Sequence, residues 1–209
     1  MVAYVGLLME WNAKINLISR KDTDQAWIAH ILHCLTIVFM VDIPQAARVL
    51  DLGSGGGLPG IPIKIVRPDL RVTCLDATRK KMEAVTLMIA QLDLTEISAV
   101  WGRAEDVANI PVHRHHYDVV AARAVASLND LVDWSVPVLA TNTKKTRDEK
   151  PTTQLRRSRL IALKGGDLDT EVADVERRHR SAQISVRQVA FPSSELIPGV
   201  DKKIVIIDL

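Results

Sequence analysis

The sequence predicts an α/β fold: a seven-stranded sheet of five parallel strands ending in an antiparallel hairpin, covered by helices and preceded by an N-terminal helical extension. Three observations predict it. From Arg48 onward, short β-branched runs alternate with helical patterns, as in a mostly parallel sheet. Five glycines crowd the eight positions Gly53 to Gly60, directly after the first of those runs. The last two strand candidates are joined only by Pro192 to Gly199, and a parallel crossover needs about a dozen residues or more.

Taken in order, the chain opens with a helical lead: Val5 to about Ile18, then a helix from Asp22, where Gln25 could complete a capping box, through Leu35. Residues 1–45 are the extension and 46–209 the sheet domain. The strand candidates are Arg48 to Leu52, Arg71 to Leu75, Ile97 to Trp101, Tyr117 to Ala122, Leu160 to Leu163, Ile184 to Ala190 and Lys203 to Ile207. Pro59, Pro62 and Pro68 allow only a short helix after the first strand. Met82, Val85, Ile89 and Leu92 follow the spacing of an amphipathic helix packed on a sheet. Ser127 and Asp130 resemble a capping box opening a helix to about Leu139. From Asp167 to Ser181 acids precede arginines, which complements a surface helix dipole.

Composition bounds the function. The 209 residues suffice for one core. With 47% apolar and 25% charged residues the chain is globular, and a net charge of +2 announces no polyanionic partner. Cys34 and Cys74, each inside an apolar run, read as buried thiols of a reducing compartment and leave no cysteine cluster for a metal. The apolar stretch Ile31 to Ile43 falls short of the roughly 20 residues of a membrane span. The N-terminus lacks signal-peptide features, so a soluble, intracellular protein is expected. Thr141 to Arg159 holds seven basic against two acidic residues and reads as a solvated loop.

The glycine turn is the first functional signal. Glycine admits positive φ and bare backbone to a ligand, and the following helix offers free N–H groups. Asp76 ends the second strand, where a carboxylate can accept hydrogen bonds from both ribose hydroxyls of an adenosine. Two cofactor classes use this geometry. Gly55, Gly57 and Gly60 fit the dinucleotide spacing, whereas Asp51, Gly53, Gly55 and Gly57 fit the pattern of S-adenosylmethionine-dependent methyltransferases. The short helix and the lack of a second nucleotide-binding half favour the methyl donor. The antiparallel end of the sheet also departs from the all-parallel dinucleotide-binding order.

Beyond the turn, the chain resembles the RsmG or GidB family of 16S rRNA guanine-N7 methyltransferases. The resemblance rests on Trp11-Asn12 with Asn16-Leu17, His30-Ile31-Leu32, Asp51 to Pro62, Asp76 with Lys80, Gly102 to Glu105, Arg123 to Asp130, and Ala162 to Gly165. It implies a class I, Rossmann-like methyltransferase using S-adenosyl-L-methionine. It further implies that Gly53 and Leu58 contact the methionine end of the donor, Asp76 the ribose, and Ala104 and Glu105 the adenine. Arg123 would reach donor and reaction site. Three departures stand out: His33 occupies a position where the family usually carries Asp, the segment Thr141 to Arg159 is long, and the chain starts close to Trp11.

The implied chemistry needs little from the protein. Methyl transfer from a sulfonium is an in-line displacement, catalysed largely by positioning. Guanine N7 has a free lone pair at neutral pH, so no general base is expected. Arg123 and Lys164 are positioning candidates, and with Lys80 they are expected to touch the substrate from strand or helix ends. Ribosomal RNA is the expected partner of a monomeric, cytoplasmic enzyme, or one of an organelle. The alternatives are a methyltransferase acting on a small molecule or protein, an RNA-binding module without catalysis, and a nicotinamide-dependent oxidoreductase.

Overall fold

A computed structural model describes residues 1–19, 23, 25–141, 158–190 and 202–209. Seven strands form one sheet: β1 (Arg48–Leu52), β2 (Arg71–Asp76), β3 (Ile97–Trp101), β4 (Val119–Arg123), β5 (Arg159–Gly165), β6 (Gln183–Gln188) and β7 (Lys202–Asp208). Their order is β3-β2-β1-β4-β5-β7-β6. The first five are parallel, and β7 lies antiparallel between β5 and β6. The expected terminal hairpin is therefore present, and it ends the sheet in the way that sets this fold apart from all-parallel dinucleotide binders.

Side-chain alternation divides the core in two. On one face Val49, Val72, Val119, Ile161 and Ile206 pack with helices α1 (Val2–Lys14), α2 (His33–Met40), α3 (Gly60–Val66) and α4 (Arg79–Gln91). On the other, Leu50, Leu75, Val120, Leu160 and Ile207 pack with α5 (Ala104–Val107), α6 (Leu128–Ser135) and α7 (Asp169–Arg178). Tyr4, Leu8, Ile31 and Ile37 share a buried cluster with Val49, Ile61 and Val85. Residues 1–45 thus contribute one helical layer to the sheet's own core.

Several boundaries differ from the sequence expectation, each for a local reason. Helix α1 stops at Lys14 because Asn12 Oδ1 accepts from the N–H groups of Leu17 and Ile18, at 2.9 and 3.0 Å, and bends the chain away. The second helix runs past Leu35 to Met40, preceded by a π-helical segment, Trp27–Leu32. Strand β4 begins at Val119: Tyr117 makes only an isolated bridge to Leu139, and Asp118 turns its carboxylate to the Arg48 backbone and guanidinium. Helix α6 ends at Ser135, whose hydroxyl donates to Leu131 O at 2.6 Å just before the donor-less Pro137. The Ser127 cap is present, with Asp130 N donating to Ser127 Oγ at 3.3 Å. Asp22, residues 142–157 of the basic segment and the loop from Pro192 to Gly199 lie outside the described residues. Among the described residues no helix is long and apolar enough to cross a membrane.

Candidate cofactor site

The chain leaves β1 into a turn pinned by backbone hydrogen bonds at both ends. Gly53 and Ser54 both donate to Leu75 O at 2.9 Å, and Gly57 and Leu58 both donate to Ser54 O, at 2.9 and 2.8 Å. Gly53 adopts φ +73°, and a Cβ there would lie 2.5 Å from Val125 Cγ2. Only glycine lets the turn and the loop after β4 occupy that space.

Asp51 braces this turn from beneath. It is fully buried, and its Oδ2 accepts from Ser54 Oγ at 2.7 Å and from Gly60 N at 2.8 Å, which ties the strand to the start of α3. Its Oδ1 has no protein partner. Burial raises the carboxyl from 3.8 to about 7, against the lowering effects of the Ser54 hydroxyl, the Gly60 N–H and the Arg123 guanidinium. Asp51 does not line the cleft described below, so its part in the site is to hold the turn. Gly57 and Leu58 are likewise buried under it, Leu58 within the apolar core.

Asp76, two positions along β2 from Cys74, emerges above the turn. Its Oδ2 accepts from Gly55 N at 2.9 Å and its Oδ1 from Thr78 N at 2.8 Å. A carboxylate has about four lone-pair sites. Two are spent on the protein, which leaves two for a pair of ligand hydroxyls.

Asp76 and Gly53 open on a cleft of about 250 Å³ that also includes Leu52, Leu75, Gly102, Ala104, Glu105 and Trp134 in its wall. Of the sequence-predicted residues, Gly53, Asp76, Ala104 and Glu105 therefore meet there. The turn backbone, the half-buried acid and an apolar wall suit a nucleoside. Val125 and Trp134 were not anticipated. A tryptophan on a strongly amphipathic helix after the fourth strand was the available signal for Trp134.

The cations divide differently from the expectation. Arg123 Nη1 lies 2.9 Å from His30 Nδ1, on the N-terminal layer's side of the turn, while its buried Nε has no protein partner. Arg123 does not line the cleft. His33 is buried nearby, and burial, aided by Lys202, Arg123 and His30, lowers its imidazole to about 3. Lys164 Nζ pairs with Glu171 Oε2 at 2.9 Å and donates to Ala126 O at 2.9 Å. Glu171 in turn accepts from Leu128 N at 2.7 Å. Lys164 thus fixes the loop between β4 and α6. Lys80, in the first turn of α4, is exposed.

A family model described as "GidB: rRNA small subunit methyltransferase G" matches residues 1–196. The chain belongs to this family. A protein named ribosomal RNA small subunit methyltransferase G from Moorella thermoacetica is 37% identical over 65% of the chain, which spans 56% of that protein's length. One of the same name from Chlorobium phaeobacteroides is 37% identical over 99% of the chain and 85% of its own length. Among solved structures, a SAM-dependent methyltransferase from Aquifex aeolicus superposes with a TM-score of 0.59 at 12% identity, covering 91% of this chain and 96% of that one. The GidB membership and this fold agree with the cleft on S-adenosylmethionine as the cofactor. The residues fit it in two ways: the bare backbone of Gly53 in the cleft wall and the two open lone pairs of Asp76.

Proposed function

We propose that the protein transfers a methyl group to N7 of a guanine in small-subunit ribosomal RNA. The observation that carries the reading is Asp76: it closes the glycine turn through Gly55 and keeps two acceptor sites toward the cleft, in a chain of the GidB family. Bound S-adenosylmethionine supplies an electrophilic methyl on a sulfonium. The protein's own tasks are then to bind, orient and exclude water. Asp76 accepts from the ribose hydroxyls, the wall of Leu52, Leu75 and Trp134 covers the base, and Ala104 and Glu105 border it. Leu58 and Gly57 act through the shape of the turn. Guanine N7 needs no proton removed, so the chemistry asks for no base. Arg123 and Lys164 position: Arg123 offers its unpartnered Nε behind the turn, and Lys164 holds the β4–α6 loop that carries Val125. Lys80 presents its charge to RNA phosphate. The enzyme works as a cytoplasmic monomer on this reading.

The purified protein, given labelled donor and small-subunit rRNA lacking the modification, should label that RNA at a site cleaved by borohydride and aniline, the signature of N7-methylguanine. Asp76→Ala should weaken donor binding by about 1.5–3 kcal/mol in calorimetry. Labelling of protein or small metabolites with none in rRNA would defeat the assignment.

A further inference from the structure

Helix α1 reaches the glycine turn from the side opposite the cleft. Tyr4, Leu8 and Asn12, spaced four apart, share one face of the helix. The buried Tyr4 hydroxyl donates to Gly56 O at 2.9 Å across 52 residues of sequence. A Cβ on Gly56 would lie 2.7 Å from Leu8 Cδ1 and 3.1 Å from Leu17 Cβ, so helix and turn are in direct contact. Asn12, by taking the Leu17 and Ile18 N–H groups, sets the segment whose Leu17 O passes 3.5 Å from the Cβ position of Gly55.

We infer that Tyr4 is a positioning residue of the donor site. Its hydroxyl fixes the Gly56 carbonyl on one side of the turn while Asp76 holds the Gly55 N–H on the other, so that the N-terminal helix and the second strand clamp the two peptide units that flank the Gly55–Gly56 bond. The clamp makes the N-terminal helix part of the donor-binding machinery, although no residue of it enters the cleft. Burial keeps the phenol a neutral donor by raising it well above its ordinary 10.0. A Gly56 carbonyl without Tyr4 would be a buried acceptor left unpaired, and the turn would relax to find water. The inference rests on the reading of this turn as the donor's cradle.

Tyr4→Phe keeps the ring in the core and removes only the hydroxyl. In ligand-free protein it should speed hydrogen exchange at the Gly55 and Gly57 amides about tenfold or more, with the amides of β4 and β5 unchanged. Its dissociation constant for S-adenosylmethionine should rise about five- to twentyfold, and the effect should be less than additive with Asp76→Asn, since both loosen one turn. Gly56→Ala, which pushes the turn off Leu8, should mimic it, and adding Leu8→Val should restore part of the loss. Turn amides that exchange at the wild-type rate, a donor affinity unchanged within about twofold, or strict additivity with Asp76→Asn would overturn the inference. If the wild type failed to bind the donor while Tyr4→Phe still loosened the turn, the cofactor reading would fall and the clamp would stand.

Discussion

Asp51 and His33 are buried on the same side of the turn, and their titrations act on stability in opposite directions. Burial holds Asp51 at about 7, against 3.8 for the ordinary carboxyl, and holds His33 at about 3, against 6.5 for the ordinary imidazole. Between about pH 4 and 7 folded Asp51 keeps a proton that the unfolded chain has lost, so stability falls as pH rises through that window. Between about pH 3 and 6.5 the unfolded chain binds a proton that folded His33 refuses, so stability rises with pH there. At about 1.4 kcal/mol per pH unit each contribution is on the order of 4 kcal/mol, large against the roughly 5–15 kcal/mol of a whole domain. In the wild type they largely cancel. Asp51→Asn should therefore gain stability relative to wild type as pH rises from about 4.5 to about 7.5, and His33→Gln should lose it over the same range. Urea unfolding at four pH values in that span, with the wild-type curve subtracted, gives the slopes; a constant offset from the new amides does not alter them. Burial holds the thiols neutral, Cys34 at about 12 and Cys74 well above its ordinary 9.0, so neither titrates in the window. Two difference curves flat within about 1 kcal/mol would refute the reasoning.

Gly53→Ala combines a φ of +73° with a Cβ driven into Val125, and it should weaken donor binding about tenfold or more in calorimetry; Val125→Ala added to it should recover the steric part but not the backbone strain. Lys164→Met strands the Glu171 carboxylate and frees the Ala126 carbonyl, which should cost about 1–3 kcal/mol in urea unfolding. Because that ammonium is already engaged, the salt dependence of RNA binding should not change. Lys80→Ala should leave stability alone and flatten the slope of log affinity against log salt by about 0.7–0.9.

The sheet was legible because its signals are local. Strand cores, the short helix allowed by Pro59, Pro62 and Pro68, and the hairpin imposed by a short connection each follow from a few neighbouring residues, and β1 and β3 keep their expected bounds. That Gly53, Asp76, Ala104 and Glu105 share one cleft was legible for the same reason, since what meets at the carboxyl ends of parallel strands is fixed by where those strands end. Partners made at long range were not. Arg123 meets His30 across 93 residues, and nothing adjacent to either announces the other. Lys164 at a strand end reads as a free cation, yet the acid that takes it, Glu171, carries only the signature of a helix N-terminus.

Asp51 and Asp76 show how two acids of one motif come to lie on different sides of the turn. Along β1 alternate residues face opposite layers, so Asp51 points the same way as Val49, under the turn and into the N-terminal helical layer, where Ser54 and Gly60 donate to it. Asp51 is level with Cys74 on β2, and Asp76 lies two residues further along that strand. That one pleat carries the second acid past the end of β1 and above the glycine turn, where water and ligand have access. Counting residues finds both acids; only the height at which β1 stops tells which one lies beneath the turn and which one opens on the cleft.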